Sequence, residues 1–454
     1  MIEKVLIANR GEVAIRVIRA CREIGIQTVA VFSDSDRDSL HVELADESVC
    51  IGPVASSESY LKIANIISAA EIADVDAIHP GYGFLAENAH FAEICEQCNI
   101  TFIGPTAQCI RQMGDKNLAR QTMMSAKVPV TPGSEGLIGT RDEALGVAKE
   151  IGYPVLIKAV AGGGGKGMRV AHNDVSLVQA FMTASAEAER SFGNPEVYME
   201  KFIESSRHIE VQVLGDSHGN AVHVGERDCS IQRRHQKLFE EAPSPAINDS
   251  QRKKLGDIAV RAVKAVNYNN AGTVEFLYDI KAKEFYFMEM NTRIQVEHPV
   301  SEEISGIDLI KEQLIIASGE PMSFKQSEIK MSGHAMEFRV NAEDPSRKFQ
   351  SSPGLVKSVH FPGGRGVRVD TFVYPGYEIL PFYDSMIAKI ITHGKDRAEA
   401  ISIMARALDE FMIDGIKTTA PLGCALMASD QFKRGDYDTG FLEKFMDDWQ
   451  FDDS

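Results

Sequence analysis

The 454 residues contain no apolar run approaching the roughly 18 that a membrane-spanning helix needs. The opening Met1-Ile-Glu-Lys-Val-Leu reads as the start of a strand and lacks the apolar core of a signal peptide. Positive charge is scarce too. The net charge is −17, which argues against a nucleic-acid or membrane partner, because binding phosphate-rich surfaces needs clustered Lys and Arg. Seven cysteines do not make a disulfide framework at this length, and the Cys-x-x-Cys at Cys95 and Cys98 has no second pair to complete a zinc site. These absences predict a cytoplasmic globular protein with reduced thiols, and the length predicts two to four domains.

The first strand-to-helix turn lacks Gly-x-Gly-x-x-Gly. Lys4–Ala8 is an apolar strand, an amphipathic helix carries Val13, Val17, Cys21 and Ile24 on one side, and Thr28–Phe32 is the next strand. This βαβ opening predicts a parallel sheet, while the missing glycines argue against a dinucleotide there and so against an oxidoreductase. The alternation runs on to Thr101-Phe-Ile103, with a boundary near Gly114. A protein kinase is disfavoured as well: Glu226-Arg-Asp228 lacks the preceding His and the Asn five residues on, and no Asp-Phe-Gly follows.

The stretch Thr273–Glu297 is the informative one. It reads as two strands, Thr273–Asp279 and Glu284–Glu297, joined by a tight charged connection. In a regular strand Glu289, Asn291, Arg293, Gln295 and Glu297 share one face, and a hairpin brings Glu275 beside them. Two carboxylates and a carboxamide are hard oxygen ligands suited to Mg²⁺ against phosphates. The plain alternative is an amphipathic strand with a solvated face. Phe285 and Phe287, of the same parity, favour a strand that leaves a core and enters a cleft.

Gly162–Gly167 joins the strands Tyr153–Lys158 and Met168–Val170. Its match to Gly-x-Gly-x-x-Gly opens no helix, and Walker A fails at Val160 and Gly167. Bare backbone N–H groups with Lys158 and Lys166 suit a phosphate-covering lid. Arg233, Arg234, His235 and Lys237, packed together in an acidic chain, predict an anion site. A helix is expected over Ile304–Ser318, followed by a boundary at Gly319-Glu-Pro321. Gly333–Asn341 is a strand with Glu337 and Arg339 on one face; short strands and Pro-Gly turns after it predict a mixed, antiparallel third domain. Residues 447–454 form an acidic tail.

Ile7-Ala-Asn-Arg-Gly-Glu12, His79-Pro-Gly-Tyr-Gly-Phe84, Met113-Gly-Asp-Lys116, the glycine loop, Gln232-Arg-Arg-His-Gln-Lys237, Glu289-Met-Asn-Thr-Arg-Ile-Gln-Val-Glu-His298 and Phe338-Arg-Val-Asn-Ala-Glu-Asp344 occur in one order. Together they closely resemble the biotin carboxylase family, from residue 2 to about residue 446. The resemblance implies an α/β chain (α+β overall): a Rossmann-like N-terminal domain over 1–114, an ATP-grasp domain over 115–330 with a glycine-rich lid at about 131–203, and a mixed C-terminal domain over 331–446. It implies ATP held between lid and central sheet. Lys116, Lys158, Gly163, Gly164, Gly165 and Met168 match the phosphate contacts, Glu200, Lys201 and Ile203 the adenine segment, and His208 a ribose contact. Gln232, His235, Glu275, Leu277 and Glu289 complete the ATP set.

By the same resemblance Glu275, Glu289 and Asn291 are ligands of Mg²⁺ or Mn²⁺. Lys237, Arg293, Gln295 and Val296 form a bicarbonate pocket, Glu297 is the general base, and Arg339 faces the ureido oxygen of biotin. The implied reaction is ATP-dependent carboxylation of biotin through carboxyphosphate, for acetyl-CoA carboxylase in fatty acid synthesis, or alternatively for a pyruvate or propionyl-CoA carboxylase. Another acyl-phosphate ligase of the same fold is a further alternative, and Gln295-Val-Glu297 and Arg339 weigh against it. No Ala-Met-Lys-Met segment is present, so the biotin carboxyl carrier and the carboxyltransferase are expected on separate polypeptides. Arg19, Glu23 and Arg368 match a homodimer interface, where Arg365 stands in a region that also holds apolar residues. The loop begins Val160-Ala161 before four glycines, a shorter glycine run than many family members have.

Overall fold

A computed structural model describes residues 2–134, 136–159, 168–192 and 195–449. The expected lid loop, with Gly163, Gly164, Gly165 and Lys166, and the last five residues of the acidic tail lie outside the described residues. The chain condenses into two compact units: Met1–Val128, Arg207–Phe276 and Glu289–Ser454 in one, Pro129–Ser206 and Leu277–Met288 in the other.

The larger unit opens with the expected parallel sheet, five strands in the order Glu47–Gly52, Gln27–Ser33, Lys4–Ile7, Ala77–His79, Thr101–Phe102. Gly11 takes the left-handed φ of +67° that turns the first strand into the helix Gly11–Glu23. Val13, Val17 and Cys21 are buried as the helical period requires. Ile24 is exposed, because the helix stops at Glu23 and the capping residue no longer follows its period.

An eight-stranded sheet follows, in the order Glu284–Asn291, Asn270–Asp279, Ser206–Gly215, Ala221–Arg233, Gln236–Ala242, His334–Asn341, Met386–Gly394, Val367–Thr371. The pairings from Ser206–Gly215 onward are antiparallel. Strands beyond residue 331 thus extend the sheet that holds the central hairpin, with Phe239 opposite Phe338 and Glu240 opposite Glu337. Alternation sorts the two faces. Phe239, Phe338 and Ile390 enter an apolar core with Phe432 and Leu426, whereas Glu240, Glu337, Arg339 and Lys389 occupy the other face.

Two expectations change at the helices. Ile304–Ser318 is two helices, His298–Ser305 and Leu309–Ala317. Gly306 closes the first with a φ of +71°, and the Asp308 side chain caps the second by accepting from the Lys311 N–H. The hairpin's second strand ends at Asn291, so Arg293, Gln295 and Glu297 lie on an irregular connection that leads into the helix carrying Pro299 in its first turn.

The smaller unit holds a three-stranded antiparallel sheet, Met168–Ala171, Val155–Ala159, Val197–Lys201, and the helices Arg141–Ile151 and Asp174–Phe192. Ala144, Ala148, Ile157, Leu177 and Met199 form its core. Among the described residues no helix is long and apolar enough to cross a membrane.

Candidate active site

Lys237 starts the site. It lies on the strand Gln236–Ala242, and its ammonium meets three carboxylates: Glu210 at 2.6 Å, Glu297 at 2.7 Å and Glu275 at 2.9 Å. Three N–H donors find three acceptors, so the side chain is fully satisfied. Burial alone would drive off its proton, but the three acids hold the ammonium charged.

Glu297 stands between two cations. One carboxylate oxygen takes Lys237 and the other takes Arg339 at 2.9 Å. Burial opposes its charge, yet Lys237, Arg339 and Arg227 together hold its carboxyl well below the usual range. Arg339 is also bound by Glu240 at 2.6 Å. Burial and the charge of Glu297 push Glu240 up to about 7, with Arg339 pulling the other way. Arg227, fully buried, orients Glu210 at 2.5 Å and Gln212 at 2.7 Å.

On the other side of Lys237, Glu275 gathers the predicted row. Asn291 donates to it at 2.7 Å, Gln295 at 3.1 Å, and His208 pairs with its second oxygen at 2.9 Å. Burial works against charge at both partners, but Lys237 and then His208 lower the Glu275 carboxyl, and Glu275 raises His208. Arg293 reaches Gln295 at 2.9 Å and Asn291 at 3.2 Å and is anchored to Glu87 at 2.9 Å. The kink after Asn291 therefore keeps the row together by side-chain bonds, where a regular strand would have done so by parity.

Two groups of convergent ligand atoms occur among the described residues, His208, Glu210 and Glu275, and Glu210, Cys229 and Glu297. Both border the Lys237 ammonium, and Glu275 raises the proton affinity of His208 against its burial, so these are ion-pair clusters. Glu275, Glu289 and Asn291 fit a divalent cation better. Desolvation and the charge of Glu275 push the Glu289 carboxyl up, with Lys116 opposing, which marks a place short of positive charge.

The basic run disperses. Arg234 and His235 form the exposed hairpin turn with φ of +49° and +68°, and Arg233 stacks on Phe349 at 4.1 Å. Only Lys237 reaches the acids; Gln232 lies directly across from it. A strand turning at Arg234 and His235 sends neighbouring side chains in different directions, so density of charge in sequence does not become one anion site. In the smaller unit Lys158 pairs with Glu200, and Met168 lies across from Lys158. The Lys201 side chain donates to the Tyr153 and Gly152 carbonyls at 2.6 and 3.0 Å, and its backbone N–H to Pro132 at 2.7 Å. Ile203 is buried and Leu277 half-buried. Of the residues matched to a dimer interface, Arg368 binds Glu302 and Asp370 at 2.8 Å each within the chain, Glu23 pairs with Lys311 at 2.5 Å, and Arg19 is exposed.

Sequence reasoning missed Glu87, Glu210, Glu240, Arg227 and Lys389. A signal for Glu210 was available: His208, Glu210 and Gln212 alternate along one strand. Glu240 was concealed in a run that reads as a segment end.

A parallel five-stranded α/β sheet, a separate three-stranded sheet, and a lysine-centred acid cluster beside a hard-oxygen triad are the parts of an ATP-grasp ligase, an enzyme class that activates carboxylates with ATP. Three family models cover the chain: "Biotin carboxylase, N-terminal domain" over 1–110, "Carbamoyl-phosphate synthase L chain, ATP binding domain" over 115–325, and "Biotin carboxylase C-terminal domain" over 337–444. The chain belongs to the biotin carboxylase family. It is 58% identical to biotin carboxylase 1 of Bacillus subtilis over 445 residues, 98% of this chain and 99% of that one. It is 52% identical to a subunit of the pyruvate carboxylase of Methanothermobacter thermautotrophicus, over 98% of this chain and 90% of that one. The biotin carboxylase domain dimer of Hydrogenobacter thermophilus 2-oxoglutarate carboxylase, solved with MgADP, ADP and bicarbonate, superposes with a TM-score of 0.91 at 48% identity, covering 99% of this chain and 100% of that one.

Proposed function

We propose that this chain carboxylates biotin, presented on a carrier protein, with bicarbonate and ATP through carboxyphosphate, giving N1′-carboxybiotin, ADP and phosphate. In this reading residues 1–114, 115–330 and 331–446 are its three domains, the protein works as a homodimer, and it serves an acetyl-CoA carboxylase. The observation that carries the reading is Glu297 held ionised between Lys237 and Arg339.

Bicarbonate is a poor electrophile, and phosphoryl transfer gives it a leaving group. Lys237 and Arg293 hold the anion in line. As Lys237 turns to it, the grip of that ammonium on Glu297 loosens and the carboxylate's proton affinity rises toward that of a working base. Glu297 then takes the bicarbonate proton. Glu275, Glu289 and Asn291 would hold a divalent cation, which would neutralise charge at the phosphates. Carboxyphosphate then breaks to CO₂ and phosphate, the phosphate takes the N1′ proton, Arg339 stabilises the resulting ureido enolate of biotin by charge-assisted hydrogen bonds, and N1′ attacks the CO₂. Lys116, Lys158, His208 and the segment Glu200–Ile203 bind the nucleotide.

The test is ATP hydrolysis by the purified chain with Mg²⁺ and bicarbonate, with and without free biotin. Biotin-stimulated ADP release that requires bicarbonate and disappears in Glu297→Ala supports the reading. A folded, ATP-binding chain without stimulation would redirect it to another acyl-phosphate ligase. The likeness to components of a pyruvate carboxylase and of a 2-oxoglutarate carboxylase supports a second acceptor class, which reconstitution with carrier and transferase on acetyl-CoA against 2-oxo acids distinguishes.

A further inference from the structure

The Ile7–Glu12 and His79–Phe84 motifs take no part in the steps above, yet they interlock beside them. The Asn9 amide donates to the carbonyls of Pro80 at 2.8 Å and Tyr82 at 2.7 Å. Gly81, at a φ of +62°, lets this happen, since a Cβ there would meet the Asn9 amide nitrogen at 2.9 Å. The Tyr82 hydroxyl donates to Glu12 Oε1. That same oxygen lies 3.1 Å from the ammonium of Lys389.

Lys389 lies on the strand Met386–Gly394 with 0% exposure, directly across from Arg339. Its second contact is the backbone carbonyl of Val296, at 2.8 Å. Asp370 is 4.0 Å away, but Arg368 claims both of its oxygens, at 3.1 and 2.8 Å. Glu337, the remaining acid beside Lys389, makes no hydrogen bond to it. The ammonium is thus committed to Glu12 and to one main-chain carbonyl between Gln295 and Glu297. A buried lysine with a single direct carboxylate is an expensive way to fill space, because an apolar side chain of that length would avoid the desolvation cost. The irregular connection 292–297 has no strand partner; Glu87 holds its start through the Thr292 N–H at 3.0 Å and Arg293 at 2.9 Å, and Lys389 holds the main chain at its far end.

We propose that Lys389 is a positioning residue for the bicarbonate pocket, tying the Val296 backbone to the Glu12–Tyr82 pair so that Gln295 and Glu297 are presented at fixed depth. The assignment rests on the function proposed above. It is tested by steady-state ATP hydrolysis without biotin, varying bicarbonate and ATP separately, on the full chain and on Lys389→Met and Tyr82→Phe. Loss of a charge-assisted bond of this kind predicts a bicarbonate KM raised roughly tenfold to a hundredfold in Lys389→Met, with the ATP KM unmoved. Tyr82→Phe, which removes one hydroxyl from a half-buried ring, raises the bicarbonate KM less, in the same direction. A purely structural lysine predicts a lower melting temperature with both KM values unchanged or moving together, and that result overturns the assignment. If Lys389→Met does not fold, an unchanged bicarbonate KM in Tyr82→Phe overturns it instead. Wild-type chain with no bicarbonate-dependent turnover overturns the functional reading itself, and the assignment with it.

Discussion

Glu297 and Glu337 are both fully buried carboxyls on the polar side of the same sheet, and their proton affinities are driven in opposite directions. Burial raises each. At Glu297 it is overridden by Lys237, Arg339 and Arg227; at Glu337 the nearby cations are already spent on other acids, and Glu240 and Glu297 add to the effect of burial, so the carboxyl sits well above its usual range. Neither oxygen of Glu337 has a hydrogen-bond partner. Proton occupancy in this site is decided by who owns the neighbouring cations, with depth equal for both.

The hardest way to break this contrast is Lys237→Met. It leaves Glu210, Glu275 and Glu297 facing one another without their shared counter-ion, and breaking such a buried set costs roughly 3–5 kcal/mol. Denaturant unfolding measures the loss, and turnover should vanish with it. Next is Glu297→Gln, which keeps shape and removes the base: bicarbonate-dependent ADP release should fall by about 10²–10⁴-fold while the fold survives. At Glu337, where burial and the neighbouring acids favour the protonated form, the same substitution replaces the acid by an amide of like shape. Glu337→Gln should retain turnover and, near the unfolded carboxyl value of about pH 4.3, shift stability by about 1 kcal/mol or less. An inactive, folded Glu337→Gln would show that Glu337 is ionised after all.

The pH dependence sharpens the pair. Glu297 is depressed, so its contribution to stability is present above the unfolded carboxyl value of about 4.3 and is lost as pH falls through its lower folded value. Glu337 is raised, so the folded state holds a proton the unfolded chain releases, and stability drains away as pH rises above that same point. Melting temperatures of wild type and Glu337→Gln, followed from pH 5 to pH 8, should therefore drift apart in favour of the variant. The smallest effect belongs to Glu240, raised to about 7 beside Arg339. Its ionisation changes the field on Arg339 across neutral pH. The biotin-stimulated rate should carry an inflection near there that Glu240→Gln removes.

Much of this was legible beforehand. The first parallel sheet follows from apolar strands and one amphipathic helix, and every member of the odd-numbered row from Asn291 to Glu297 does enter the acid cluster. The route was misread, since parity assumes a straight strand and Pro299 draws the chain into a helix soon after Asn291. Gly306 similarly divides a helix whose apolar period runs on without a break. Glu337 and Arg339 were visible as neighbours on one face, but their different charge states depend on Glu240 and Lys389, which come from strands far away in sequence. Lys389 sits in Ile387-Ala-Lys-Ile-Ile391, where local pattern shows only a strand with one odd charge. The dispersal of Arg233, Arg234 and His235 needs the turn itself to be known.

The pairing of Gln236–Ala242 with His334–Asn341 bears on how such a chain can be recombined. A splice placed at the Gly319–Pro321 boundary looks like a clean module border, yet it severs a ladder whose two sides come from either flank. The upstream fragment would keep a bare strand edge with Phe239 stripped of Phe338 and Phe432. Chimeras between relatives should therefore be joined elsewhere, and the two fragments, produced side by side, should find each other by strand addition and restore one continuous sheet.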